Sequence, residues 1–387
     1  MRVIGIMSGT SYDAIDVAAA DLGLRDGEVH LRPLGALRVP YAEELRGAIA
    51  AGMPPEVTSY AAVCRLDTTL GQAFADAAAR GIAELCDGRA DLVVSHGQTM
   101  FHWVDDDGRA RGTLQLGQPA WIAHATGTPV VSDLRSRDLT RGGQGAPLVS
   151  LFDVLLLASR GPARAALNLG GIANVTVLSA ETTLAYDIGP ANALIDAAAR
   201  ELCGEPYDAD GAHAALGTVH HDLLRTLLDE PYYRRPAPKS TGKEMFHWPY
   251  LQTRLTSLPP LSPDDVIATV SELTATLVAS ELGRHRVEDV FVSGGGTRNS
   301  WLMGRLRDAA TPGCSVRSIA DLGVSPDDKE AYAFALLGFL TVHGIAGTVP
   351  SCTGASGPSV LGSITPGNRP LRLPEPVRTP LTRLVVT

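Results

Sequence analysis

Two stretches far apart in the chain carry the residues best suited to holding phosphate. Gly9-Thr10-Ser11-Tyr12-Asp13-Ala14-Ile15-Asp16 combines small and hydroxyl-bearing residues with two carboxylates. Backbone N–H groups and hydroxyls in such a tip can close on phosphate oxygens while a carboxylate holds a hydrated magnesium ion; an ordinary Ser/Thr/Gly turn has the same composition. Asn168-Leu169-Gly170-Gly171-Ile172-Ala173-Asn174 is a second glycine tip. Glycines at a single turn serve structure as readily as function, but two such tips from two similar halves can grip a triphosphate from both sides.

Asp187, in Asp187-Ile188-Gly189-Pro190, falls at the carboxyl end of an expected strand, where α/β sheets present functional groups. It is a candidate general base. The competing role is to cap the following helix, for which Asn192 is better placed. Ser293-Gly294-Gly295-Gly296 opens a helix and either lets a flat adenosine ring approach the backbone or is a tight turn. Ser95-His96-Gly97-Gln98-Thr99 and Asp133-Leu134-Arg135-Ser136-Arg137-Asp138 are dense in polar side chains after apolar strands, which suits recognition of sugar hydroxyls and carboxylates. Other matches fail. Lys239-Ser240-Thr241-Gly242-Lys243 resembles a P-loop fragment but lacks its first glycine, and Glu244 follows the lysine. Ser240 to Lys243 fits S-x-x-K without the accompanying S-D-N and K-T-G. His96 and His102 lack the spacing and further ligands of a metal site, so no protein-built metal centre is expected.

The elements that must position these residues read as mixed α/β. Arg2 to Leu22 and Arg164 to Ser179 both run strand, small-residue turn, strand. Thr183 to Asp187 is a strand leading to a helix with Leu194, Ile195, Ala198, Ala199 and Leu202 on one face. Asp289 to Ser293 enters the triple glycine and a helix over Asn299 to Asp308. Ala73 to Cys86 and Pro263 to Leu282 read as helices, and Ala90 to Ser95 as a buried strand that ends before His96. From Glu230 to Pro260 the period is lost, which predicts an irregular surface segment.

A chain of 387 residues suggests two or three domains, and 45% hydrophobic with 19% charged residues excludes disorder and fibrous repeats. Formal charge is −9, from 33 Lys and Arg against 42 Asp and Glu, without a basic run, so neither nucleic acid nor a membrane surface is an expected partner. An anionic ligand would instead be held by backbone amides and a metal ion. Five scattered cysteines without C-x-x-C spacing indicate no disulfide framework. Met1 to Thr10 lacks the basic flank and apolar stretch of a signal peptide, so a cytoplasmic location is expected.

Taken in order, the motifs resemble those of anhydro-N-acetylmuramic acid kinases, relatives of hexokinase and actin. The resemblance rests on Gly5 to Asp13, Ser95 to Thr99, Arg141 to Pro147, Asn168 to Asn174, Asp187 to Asn192, Pro238 to Glu244, Ser293 to Gly296, Lys329 to Phe334 and Thr353 to Ala355, which run almost from end to end. One departure is Ala14, where the family usually has Gly. The resemblance implies a two-domain actin-like (ribonuclease H-like) sugar kinase fold with mixed sheets and a central ATP cleft, divided here into 1–130 and 131–387, with the tail able to return to the first domain. It also implies that Gly9 to Asp16, Gly170, Gly171 and Gly294 to Gly296 bind ATP with Mg2+, that Asp187 is catalytic, that His96, Thr99, Arg135 and Glu330 face the sugar, and that the protein is a homodimer.

The reaction so implied is 1,6-anhydro-N-acetylmuramic acid with ATP and water giving N-acetylmuramic acid 6-phosphate and ADP, a step in cell-wall sugar recycling. Phosphoryl transfer calls for positioning and charge neutralisation, and ring opening for an activated water, matching amide-rich turns and a carboxylate. An actin-like kinase for another sugar shares the ATP site and would be separated by a substrate panel. A non-catalytic ATP switch would leave the polar sugar-side segments idle.

Overall fold

β1 (Arg2–Ser8) and β2 (Ala14–Arg25) are apolar and buried along most of their length and pair antiparallel, with Ile6 opposite Val17 and Met7 opposite Asp16. β3 (Glu28–Pro40) continues the meander. β4 (Leu92–Val104) then returns parallel to β1. A parallel neighbour needs a crossover, supplied by the helix Tyr60–Leu85, whose first turn is capped by Ser59 accepting from Ala62 N at 3.2 Å. β5 (Ala110–Leu116) folds back on β4, and β6 (Val130–Ser132) lies parallel to it. The structure, a computed structural model, describes residues 1–9, 12–54, 56–105, 107–158, 161–181, 183–242 and 245–387.

The second half repeats the plan. β7 (Arg164–Leu169), β8 (Ile172–Leu178) and β9 (Thr183–Pro190) form an antiparallel meander, and β10 (Asp289–Ser293) and β11 (Ser315–Ser318) add in parallel beyond β7. Here the crossover is the helix Pro263–Arg284, started by Ser262, which accepts from Asp265 N at 3.1 Å, with Pro263 in its first turn and Asp264 and Asp265 favouring the dipole. The order β9-β8-β7-β10-β11 matches β3-β2-β1-β4-β6 strand for strand. That shared order, three antiparallel strands and two parallel ones, is the sheet of the ribonuclease H-like fold. Two late strands join the first sheet: β12 (Ser363–Thr365) antiparallel to β6, and β13 (Arg383–Val386) parallel to β3.

The two compact units are Met1–Ala158 with Asp328–Thr387, and Ser159–Asp327. The division differs from the 130/131 boundary read from sequence, because β6 hydrogen-bonds into the first sheet and Asp138 and Asp153 bond to Thr353 and Lys329 of the returning chain. In the first unit, Phe74, Ala78 and Ile82 of the helix Tyr60–Leu85 join Ile4, Ile6 and Val17 in one apolar cluster. The helix Lys329–Val342, buried at every residue except Glu330, packs on β1. It comes so close that a Cβ at Gly5 would sit 2.1 Å from Ala331 O. In the second unit the helix Pro263–Arg284 packs with Val175, Ile188 and Val290.

Several expectations give way. The helix read over Ala73 to Cys86 begins at Tyr60. Strand β4 does not stop before His96: Gly97 takes a φ of 76° at a bulge, and pairing resumes at Gln98, so the polar run is strand, not loop. The segment Glu230 to Pro260 is a surface segment only in part, irregular and for the most part exposed or half-buried but anchored by buried side chains. Tyr232, Tyr233, Phe246, Tyr250 and Leu251 are buried in the second core, with Tyr233 and Phe246 stacked at 6.0 Å. Its elements, Pro231–Arg234 and Trp248–Leu255, are too short to show a period.

Candidate functional site

At the first hairpin the tip is shorter than the eight-residue motif. Ala14, Ile15 and Asp16 already belong to β2, Ile15 is 1% exposed within the core, and Asp16 Oδ1 lies 3.6 Å from Arg38 Nε. Thr10 and Ser11 lie outside the described residues. The remaining tip is braced from below: Tyr41 OH donates to Ser8 Oγ at 2.9 Å, Ser8 Oγ donates to Gln98 Oε1, and Gln98 Nε2 donates to Gly9 O at 3.3 Å. Tyr12 N also donates to Gly9 O at 3.1 Å. Burial pushes the Tyr41 phenol far up, so it stays a neutral donor. Asp13 is exposed, and an exposed carboxylate beside a small-residue tip has the chemistry to hold a hydrated magnesium ion. Among the described residues, no three His, Cys, Asp or Glu side chains group as a metal site.

The second unit brings its glycine turns together. Gly294 has a φ of 87°, and a Cβ there would meet Asn168 Oδ1 at 2.4 Å and Leu169 O at 2.9 Å, so the triple-glycine turn rests directly on the second hairpin tip. At Gly170 and Gly295 an added Cβ finds nothing nearer than 3.6 Å and 4.0 Å, so packing alone does not demand glycine at either position. Gly170 O accepts from Asn192 N at 3.0 Å, and Gly171 O from Ala191 N at 2.9 Å and Ala193 N at 3.0 Å. Those bonds satisfy the first amides of the helix Asn192–Ala198. Asn192 is therefore not its cap; its side chain donates to Leu169 O at 3.0 Å.

Asp187, half-buried on β9, does not cap that helix either. Ser240 Oγ donates to its Oδ2 at 2.7 Å and Thr241 N donates to the same oxygen at 3.0 Å. A carboxylate so held is oriented.

In the first unit, His96 and Arg135 meet. Arg135 Nε donates to His96 Nε2 at 3.0 Å, so that nitrogen accepts; the proton sits on Nδ1, which donates to Gly97 O at 2.8 Å. Burial, reinforced by the Arg135 charge, drives His96 well below its usual value and keeps the ring neutral. Arg135 Nη1 donates to Gly145 O at 2.7 Å, and burial lowers its guanidinium to about 10 against the opposing pull of Glu330 and Asp138. Burial raises Glu330, while Lys329 and Arg135 hold it down. Thr99 is tied elsewhere, accepting from Gln115 Nε2 at 3.2 Å across the β4–β5 ladder.

Sequence reasoning assigned no role to two buried groups beneath this cluster. Asp138, fully buried, accepts from Gly145 N at 2.8 Å and Thr353 Oγ1 at 2.9 Å. Lys329 Nζ lies 2.7 Å from Asp153 Oδ1, both side chains about 5% exposed. The signal for Asp138 and Thr353 was present in the Asp133 to Asp138 and Thr353 to Ala355 motifs, but their separation of 215 residues hid the contact.

Residues 1–367 match the family model described as anhydro-N-acetylmuramic acid kinase. An anhydro-N-acetylmuramic acid kinase of Streptomyces coelicolor is 58% identical over 98% of this chain and 97% of its own length. One from Streptomyces avermitilis is 58% identical over the whole of both chains, and one from Rhodococcus erythropolis 56% identical over 96% of each.

Proposed function

We propose, from the premise that the chain belongs to the anhydro-N-acetylmuramic acid kinase family, that it opens 1,6-anhydro-N-acetylmuramic acid with water and phosphorylates O6 from ATP. The observation that carries this reading is a family match spanning residues 1–367. In this reading the backbone of the Gly9 to Asp16 hairpin and the turns at Gly170, Gly171 and Gly294 to Gly296 take the nucleotide. The seat of the Gly294 turn on the second hairpin tip, which brings these glycines together, supports that assignment. Asp13 would hold Mg2+ through water, and the ion's chemistry is to neutralise phosphate charge. His96, both of its ring nitrogens engaged by Arg135 and Gly97 O, fixes Arg135, whose remaining N–H groups would donate to the sugar while Glu330 would accept from it; Thr99 is the remaining sugar-side residue of the reading.

Asp187 acts as the base. While the 1,6-anhydro bridge is closed, O6 is an ether oxygen with no proton to lose. Asp187 takes a proton from a water that attacks C1 on the face opposite the bridge; the C1–O6 bond breaks and its electron pair stays on O6. That oxygen then takes the γ-phosphoryl group, so no separate acid is needed, unlike the two-carboxylate arrangement of ordinary glycosidases. The two bonds Asp187 Oδ2 accepts support this role by keeping the carboxylate aimed. A homodimer in the cytoplasm, recycling cell-wall sugar without nucleic-acid or membrane partners, completes the reading. The homodimer is what the family resemblance implies; the net charge of −9 supports the lack of a nucleic-acid partner, and the five free cysteines support a reducing cytoplasm. The described helix long and apolar enough to cross a membrane, Pro263–Arg284, has 78% of its most apolar window buried, as a core helix does.

The test is incubation with the anhydrosugar and Mg-ATP in ¹⁸O-water, followed by rapid quenching and mass detection. The expected product carries phosphate and one label on C1, with one ADP formed per ring opened. Ring opening without ATP, or label in the phosphate, would refute the coupling; absence of any phosphorylated sugar would refute the activity.

A further inference from the structure

The segment Lys239-Ser240-Thr241, a failed P-loop match, lies along Asp187. Besides the two bonds from Ser240 and Thr241 to Oδ2, Asp187 N donates to Lys239 O at 3.1 Å. Three consecutive residues thus hold both the main chain and the carboxylate of one side chain. The segment is itself anchored. The Lys239 ammonium donates to Tyr233 O at 3.0 Å and lies 4.9 Å from the Tyr232 ring centroid. Tyr232, 1% exposed, sends its hydroxyl back to Asp187 O at 2.8 Å, which closes the circuit.

We propose that Lys239-Ser240-Thr241 is a positioning clamp for Asp187, in which Ser240 fixes the rotation of the carboxylate and Lys239 pins the clamp to the aromatic core. The proposal rests on the reading of Asp187 as the base. A carboxylate turns easily about its terminal torsion, whose preferences are broad. Two donors on one oxygen remove that freedom and decide how the group meets its water. Misplacing a reacting group by about 1 Å can cost on the order of 10²-fold in rate.

The experiment compares Ser240→Ala, Ser240→Thr, Asp187→Asn and the double variant Asp187→Asn/Ser240→Ala, by kcat, KM for both substrates and calorimetric ATP affinity. The Ser240 hydroxyl is exposed, so water replaces part of the lost bond. Ser240→Ala should then lower kcat about tenfold with each KM within about twofold, and Ser240→Thr, which keeps the hydroxyl, should recover most of the rate. In the Asp187→Asn background, Ser240→Ala should change the residual rate by less than about twofold, since nothing remains to position. Lys239→Met keeps the stem over the ring but loses the donor, and should lower kcat non-additively with Ser240→Ala. Equal losses in both backgrounds, an unimpaired Ser240→Ala, or a Ser240→Thr as slow as Ser240→Ala would overturn the clamp. Asp187→Asn at the wild-type rate would overturn the base itself; an impaired Asp187→Asn beside an unimpaired Ser240→Ala would sink the clamp alone.

Discussion

Replacing Asp138 with Ala should damage both stability and sugar binding, through one buried carboxylate. Asp138 is 0% exposed and holds two donors, Gly145 N and Thr353 Oγ1. Each bond to a buried charged group is worth about 1.5–3 kcal/mol, so losing both costs about 3–6 kcal/mol. For a unit of this size, each kcal/mol lowers the melting temperature by roughly 2–4 °C. The expected drop is therefore roughly 6–24 °C in differential scanning calorimetry. Thr353→Val, which removes one donor, should cost about half as much. Asp138→Asn should be the mildest of the three, because its remaining oxygen can face Gly145 N while the Thr353 hydroxyl turns to accept from the new amide. The site effect follows from Gly145, whose carbonyl takes the Arg135 Nη1 bond. With Gly145 N released, Arg135 loosens on His96, and KM for the sugar should rise while ATP affinity holds. An Asp138→Ala protein melting within about 2 °C of wild type, or an Asp138→Asn protein as unstable as Asp138→Ala, would refute the reasoning.

Gly294→Ala should weaken ATP binding roughly tenfold or more, since a φ of 87° and a Cβ 2.4 Å from Asn168 Oδ1 force the triple-glycine turn away from the second hairpin; unchanged calorimetric affinity would remove that turn from the nucleotide site. His213, 2.7 Å from Asp264 and 3.6 Å from Glu205, is raised above its usual value chiefly by the Asp264 hydrogen bond, against burial. A raised folded value contributes stability that is fully present below the unfolded value of about 6.5 and is lost as pH rises through the folded one. The advantage of wild type over His213→Gln in urea midpoint should thus be larger at acidic than at alkaline pH; a pH-independent difference would contradict the pairing.

Much of the fold was readable because strand-turn-strand grammar is local. The small-residue run between the apolar strands β1 and β2 and the glycines between β7 and β8 specify their hairpins within a few residues. The Ser-Pro-Asp-Asp start of the helix Pro263–Arg284 marks its first turn with a cap, a proline and two acids. What stayed hidden depends on distant chain. His96 to Thr99 looked like a loop because a polar run is read as solvated, whereas β1 on one side and β5 on the other supply its ladder partners. Tyr232 and Phe246 looked like surface because no period links them, yet both are core. Asn192 has the composition of a cap, but the Gly170 and Gly171 carbonyls reach the helix start first. Asp187 was read as the last residue of its strand, but β9 runs on to Pro190; its partners Ser240 and Thr241 were not legible, because the bonds span more than 50 residues.

The interrupted course of the first unit bears on how the chain is made. Its meander and first crossover come off the ribosome early, yet the helix that packs against Gly5 of β1 is written in residues 329–342, beyond the whole of the second unit. Ser159–Asp327 has every strand of its own sheet once residue 327 is out, while the older sheet still shows one bare apolar face. Domains fold as units during synthesis, and exposed apolar surface invites aggregation. Vectorial production therefore reverses the written order: the middle of the chain matures first, and the beginning waits with a sticky face for its late-arriving helix.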